Sequence, residues 1–356
     1  MSTSTFRQTV ILLAILLSLA SCATAPDAKL PPEEHSSPRD SQAAIVAEDL
    51  NVPWSITFYG QTPLVSERDS ARIIELDNQG AARVVAVIGD VKPSGEGGLL
   101  GLAVHDDYLY AYFTTRGDNR IERYPLSGAA GAVGLGVPET VLAGIPVASN
   151  HNGGRIGFGP DGMLYATVGD AGNPRSAQSF ASLSGKILRM TPDGDIPTDN
   201  PFEGSYVFSL GHRNPQGLVW DDEGTMYASE FGQNDWDELN IIEAGANYGW
   251  PTVEGMAGEA GFVDPVQQWR PADASPSGMV ISAGSIWIAN LRGERLREIP
   301  LDDLTASTEH WVAEYGRLRD AALAPDGALW VLTNNTDGRG SPGTNDDRIL
   351  SFVPSR

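Results

Sequence analysis

Cysteine is all but absent from this chain of 356 residues: Cys22 stands alone. One thiol leaves no intramolecular disulfide, no cysteine-rich zinc site and no cysteine nucleophile. Basic residues are also few, with 24 Lys and Arg against 46 Asp and Glu and a formal net charge of −22. That balance argues against a nucleic-acid partner and against a basic membrane-binding face. No Walker loop, GxSxG elbow or HExxH pair is present. Histidine is limited to five residues. Helix-period runs of useful length are missing, and 40 glycines and 24 prolines favour short elements joined by tight turns. What remains, at 41% hydrophobic, is ample material for a folded core.

The N-terminus carries the one conspicuous apolar run, residues 9–20 behind Arg7. It is too short to span a bilayer, which takes about 20 residues. It ends in Leu19-Ala20-Ser21-Cys22 and resembles the bacterial lipoprotein signal, in which the chain is cut before a cysteine that is then lipidated. The alternative is an ordinary secretory signal with a chance cysteine. The lipoprotein reading makes residues 1–21 a signal peptide and Cys22 the lipidation site. It implies an exported protein, in the periplasm or lipid-anchored to the outer face of the bacterial cytoplasmic membrane. So acidic a chain would have to be held there by lipid alone. Residues 22–45, rich in Pro, Ser, Ala and charge, read as a flexible tether with His35 a bystander. Residues 46–356 read as one domain.

Within that domain a turn signal recurs. Gly159-Pro160-Asp161-Gly162 precedes MLYATVGD, Asp221-Asp222-Glu223-Gly224 precedes TMYASE, and Ala324-Pro325-Asp326-Gly327 precedes ALWVLT. Looser copies precede YLYAYFT and SIWIANL, and residues 62–77 form a first one. Each joins a polar turn to an aromatic-aliphatic strand and then a second strand, the mark of a hairpin. The six units fall at spacings of roughly 45–60 residues, in or somewhat above the range of propeller blades. The expectation is an all-β, six-bladed β-propeller with four-stranded antiparallel blades.

Chemistry in such a fold belongs to loops at one end of the channel, and four clusters qualify. The first is SNHNGGRIGFGPDGMLYATVGDAG, residues 149–172. A strand out and a loop back could return Asp170 to His151, and a carboxylate beside imidazole fixes its tautomer and raises its basicity. Equally, His151 and its flanking asparagines could simply satisfy turn backbone. The second cluster holds Arg213 and Asn214 ahead of Pro215, an arginine that can fork onto a carboxylate or bridge two blades. The third, residues 229–240, gathers Glu230, Asp235, Asp237 and Glu238 around Gly232, either a loop for a hard cation or a solvated acidic turn. In the fourth, Arg317 and Arg319 point to the same side of an extended segment, which suggests an anion unless one pairs with Asp320.

Together these motifs resemble the soluble PQQ-dependent aldose (glucose) dehydrogenase family. The resemblance runs in order through GEGGLLGLA, HNGGRIGFGPDGMLYATVGDAG, SLSGKILRM, SYVFSLGHRNPQGL, EFGQNDWDELNIIEAGANYGWP, GRLRDAALAPDG and TDGRGSPGTNDDRILSF, over residues 50–356. It implies a six-bladed propeller that oxidises an aldose at C1 to the lactone and passes electrons to an external acceptor. His151 would be the general base, supported by Asp170, with Arg213 in the catalytic set. PQQ would be held by Glu96, Arg213, Asn214, Tyr248, Ser277, Arg317 and Arg319. Ca²⁺ would sit on the carbonyls of Gly232 and Gln233, and Glu230 with the carbonyl of Asn240 would match a second calcium position.

The sequence also departs from the family. Glu96 stands where glutamine is common, Gln233 replaces a frequent proline, and the cofactor lysine of glucose-specific members has no counterpart around Ser277. Those differences point to the broader aldose dehydrogenase branch. Two other readings stay open. One is a metal-dependent lactonase-like propeller hydrolase, and the other a non-catalytic propeller binding a partner at the cell surface.

Overall fold

A computed structural model describes residues 43–354. The expected signal peptide, Cys22 and nearly all of the expected tether lie outside the described residues. One compact unit spans Asp40–Arg356. Among the described residues it is all-β apart from a single 3₁₀ turn, Pro174–Gln178.

Six antiparallel sheets follow one another along the chain. Their innermost strands are Pro53–Tyr59, Leu99–His105, Ile156–Phe158, Pro215–Trp220, Pro276–Ser282 and Leu318–Leu323. Each packs against the next, and the last returns to the first, so the six blades close a ring. Blade 2 carries one extra short strand, Gly134–Leu135, beside its third.

The second strand of each blade explains the aromatic-aliphatic pattern. Thr62–Glu67, Leu164–Val168, Met226–Glu230 and Ser285–Asn290 are buried along their whole length, because both faces meet a neighbouring blade. The repeated turns lie between first and second strands, as in the pairings Phe158↔Leu164, Trp220↔Met226 and Leu323↔Leu329. Their aspartates secure them. Asp161 accepts the Met163 N–H at 3.1 Å and the Tyr165 hydroxyl at 2.9 Å, and Asp221 does the same for Thr225 and Tyr227.

Blade 6 is completed from the other end of the domain. Ala44–Ala47 pairs with Ile349–Phe352 through Ala44↔Ser351, Ile45↔Leu350 and Ala47↔Ile349. Leu50 and Asp347 then exchange backbone hydrogen bonds at 3.0 and 3.1 Å. Ala44 and Ile45, expected to belong to the tether, are strand instead. Their alternation was too short to stand out, and their partner lies at the far end of the sequence. A chain beginning at residue 48 should melt more than about 3 °C below one beginning at residue 43, the shift that ~1 kcal/mol produces in a domain of a few hundred residues. Thermal unfolding of the two purified chains checks this, and equal midpoints would contradict the closure.

Candidate active site

The loops opposite the repeated turns build a cavity of about 230 Å³, whose lining includes Glu96, His151, Arg213, Asn214, Arg317 and Arg339. These residues come from four blades and the segments between them. His151 has φ +55°, a left-handed backbone that few side chains adopt readily. Both ends of the residue are tied. Its N–H donates to Glu96 Oε2 at 2.9 Å, and its carbonyl accepts from Ala171 at 3.1 Å. Gly153 follows at φ +65°, where a Cβ would lie 2.5 Å from the Thr167 carbonyl, so the Gly-Gly step lets the loop fold onto the neighbouring strand.

The strand Leu164–Val168 delivers Asp170 beside this histidine. His151 Nδ1 and Asp170 Oδ1 are 2.7 Å apart, and the carboxylate is wholly buried. Asp170 Oδ1 also accepts the Gly172 N–H at 2.8 Å, and Oδ2 accepts the Trp250 indole N–H at 2.9 Å. Burial raises the Asp170 pKa, but these donors together hold it below the usual aspartate value. An ionised Asp170 fixes the proton of neutral His151 on Nδ1 and leaves Nε2 as the basic nitrogen. Asn152, beside His151, does serve the turn, since its side chain bonds both backbone groups of Ala148 at 3.2 and 2.9 Å.

Arginine dominates the rest of the cavity. Arg213 gives one nitrogen to the Phe231 carbonyl at 3.1 Å, and Arg317 gives one to Asp337 at 3.1 Å. Arg319 lies deeper and makes no ion pair among the described residues. It reaches only neutral groups, Gln216 at 3.1 Å, Ser277 at 3.3 Å and Asn334 at 3.4 Å. Burial, then the charges of Arg68 and Arg317, pull its pKa down to about 9. Asp320 does not neutralise it, because that carboxylate pairs with Arg155 at 3.0 Å. Arg213 Nε, Asn214 Nδ2 and Arg317 Nε are buried without a hydrogen-bond partner among the described residues. A cavity with unpaired donors and excess positive charge is built for an anion.

Other expected residues land elsewhere. Tyr248 does not line the cavity. It is 6% exposed, donates its hydroxyl to the Ile241 carbonyl at 2.6 Å and stacks on His212. The aromatic that reaches the site from the same motif is Trp250. Ser277 is fully buried and supports Arg319. Glu230 ties the neighbouring loop, with Oε2 2.8 Å from His212 Nδ1 and Oε1 accepting the N–H groups of Arg213 and Asn214. Asn240 sits inside the strand Asp237–Ile242, its side-chain nitrogen on Glu238 at 3.1 Å. Asn240 Oδ1 is buried without a hydrogen-bond partner among the described residues, and burial and the Glu230 charge push the adjacent Glu238 carboxyl up to about 8. Gly232 and Gln233 do line the cavity. Glu96 is not a free negative charge beside an anion site. Burial raises its pKa, but the His151 N–H and Arg339, 3.1 Å away, hold it low and neutralise it. Arg339, Trp250 and Arg155 were not singled out from sequence, since each acts through a partner far along the chain.

A family model described as glucose/sorbosone dehydrogenase matches residues 50–341. The PQQ-bound aldose sugar dehydrogenase of Streptomyces coelicolor is 50% identical, with a TM-score of 0.83, 86% of this chain and 96% of that one being covered. Quinoprotein glucose dehydrogenase B of Acinetobacter calcoaceticus is 32% identical over 259 residues, 61% of this chain and 54% of that protein. An aldose sugar dehydrogenase of Escherichia coli is 28% identical over 352 residues, 85% of this chain and 92% of that protein.

The buried pair makes its own prediction. Asp170→Asn keeps the volume but turns an N–H₂ group toward the His151 or Trp250 donor, so it should cost ~1.5–3 kcal/mol at pH 7. A carboxylate with a depressed folded pKa contributes stability above its unfolded value, and that contribution is lost as the pH falls through the folded one. The gap between wild type and variant should therefore narrow below about pH 4. Urea unfolding from pH 7 to 3 measures it, and a gap independent of pH would refute the assignment.

Proposed function

The chain belongs to the glucose/sorbosone dehydrogenase family, and from that premise we infer that it is an oxidoreductase that oxidises an aldose sugar with PQQ as its cofactor. The observation that carries the reading is the set of unpaired buried donors beside a histidine-carboxylate pair. Among the described residues, Arg213, Asn214 and Arg317 each hold a donor without a partner, and Arg319 is a buried cation without a counter-ion. A flat quinone bearing carboxylates suits that set, because forked guanidinium groups match carboxylates in charge and geometry. The backbone carbonyls of Gly232 and Gln233 are oxygen donors of the kind Ca²⁺ takes. When bound, PQQ would supply the two-electron acceptor for the hydride of the sugar C1, and Ca²⁺ would polarise it as a Lewis acid.

The chain's own share of the chemistry is acid-base and positional. Asp170 holds the His151 ring with Nδ1 protonated, and Nε2 takes the proton of the anomeric hydroxyl as C1 is oxidised to the lactone. Trp250 and Gly172 keep the carboxylate from turning away. Arg213, within 5.6 Å of the Trp250 ring, stands over the same spot and favours negative charge developing on the sugar oxygen. Electrons then leave to an external acceptor. We place the protein outside the cytoplasm, lipid-anchored through Cys22, on the signal-like N-terminus alone.

Apoprotein supplied with PQQ and Ca²⁺ should reduce an artificial electron acceptor with aldoses. His151→Gln should lower kcat by at least about 10²-fold, the usual worth of a general base, while PQQ binding stays within a few-fold. Absence of any spectral change on adding PQQ with Ca²⁺ would sink this reading, and lactone hydrolysis without PQQ would favour the hydrolase alternative.

A further inference from the structure

We propose that Glu254 is the positioning residue that aims the carbonyls of Gly232 and Gln233 into the cavity, an inference that rests on the calcium reading above. Glu254 Oε1 accepts four consecutive backbone N–H groups, from Gln233 at 2.7 Å, Asn234 at 3.3 Å, Asp235 at 3.3 Å and Trp236 at 3.1 Å. Successive amides that converge in this way form a nest, a concave anion site. Here the anion is supplied by the chain itself.

The consequence for the carbonyls is stereochemical. The Gly232–Gln233 and Gln233–Asn234 peptides are trans. In a trans peptide the carbonyl points away from the following N–H. With the Gln233 and Asn234 N–H groups turned to Glu254, the Gly232 and Gln233 carbonyls must face the other way. Those two residues line the cavity that also holds His151, Arg213 and Arg317. The amide dipoles then present their negative ends to a cation there, and the Glu254 charge offsets their positive ends.

The surroundings lock this arrangement. Gly232 N–H donates to Asp237 Oδ1 at 2.8 Å, pinning the start of the loop. A Cβ at Gly232 would lie 2.7 Å from Glu254 Oε1 and clash with the Trp236 carbonyl, so only glycine lets the loop fold this tightly. Glu254 is itself anchored, because the Gly255 N–H donates to Glu238 Oε1 at 2.8 Å.

The test is a Ca²⁺ titration of PQQ uptake, followed by the absorbance of the cofactor rather than by turnover, alongside melting of the apoprotein. Glu254→Ala should raise the Ca²⁺ concentration at half-uptake about 10–100-fold, the usual cost of losing a group that orients metal ligands. Glu254→Gln keeps an acceptor oxygen and should raise it less, and saturating Ca²⁺ should restore uptake in both. If Glu254→Ala melts well below wild type, Glu254→Gln decides the matter by the same titration. Half-uptake within about twofold of wild type in a folded variant would overturn the role of Glu254 alone, against the 10–100-fold expected. Wild-type uptake that needs no Ca²⁺ would overturn the calcium reading itself, and this inference with it.

Discussion

Ring closure is the constraint on which everything else depends. The cavity takes Glu96 from the approach to blade 2, His151 from blade 3, Arg213 from blade 4 and Arg317 from blade 6. None of these loops has a geometry of its own to bring them together. They meet because six innermost strands pack side by side and the last returns to the first. A few backbone hydrogen bonds between Ala44–Ala47 and Ile349–Phe352 thus complete the sheet on which Arg317 and Arg319 are mounted.

The closed ring allows an unusual distribution of charge. A protein with a formal net charge of −22 keeps Arg155, Arg317 and Arg319 almost fully buried near its axis. Asp320 is spent on Arg155, and the deepest guanidinium of the mouth, Arg319, is left to neutral partners. Buried charges without counter-ions cost stability, and a fold tolerates them where a ligand will compensate. The acidic exterior and the basic axis are therefore separate features of the chain. The first concerns solubility and the second the site.

What the sequence made legible follows the range of the forces involved. The blades were readable because each hairpin turn is local, an Asp-Gly signal whose aspartate bonds its own strand. Those repeats mark the face away from the cavity. The cavity loops differ from blade to blade, so periodicity said nothing of them, and family resemblance supplied the roles. Asp170 beside His151 was within reach of a count, one strand out and one loop back. The aromatic of Asn247-Tyr248-Gly249-Trp250 was not. Gly249 turns the chain at φ +88°, which sends Tyr248 into the core and Trp250 to Asp170. Glu96 looked like an uncompensated charge because its partner Arg339 stands 243 residues away. Nothing local in the sequence reveals that Glu230 also holds His212 and two backbone amides.

The left-handed backbone at His151 has a consequence for anyone who edits the site. Asparagine, aspartate and histidine enter that conformation several times more readily than other side chains, and β-branched residues hardly at all. Position 151 is thus filtered twice, once by proton chemistry and once by backbone sterics. A saturation library there would rank substitutions by the product of the two, with asparagine the fairest control for loss of the base. The search for a different base would be better made at a neighbouring position with ordinary torsions.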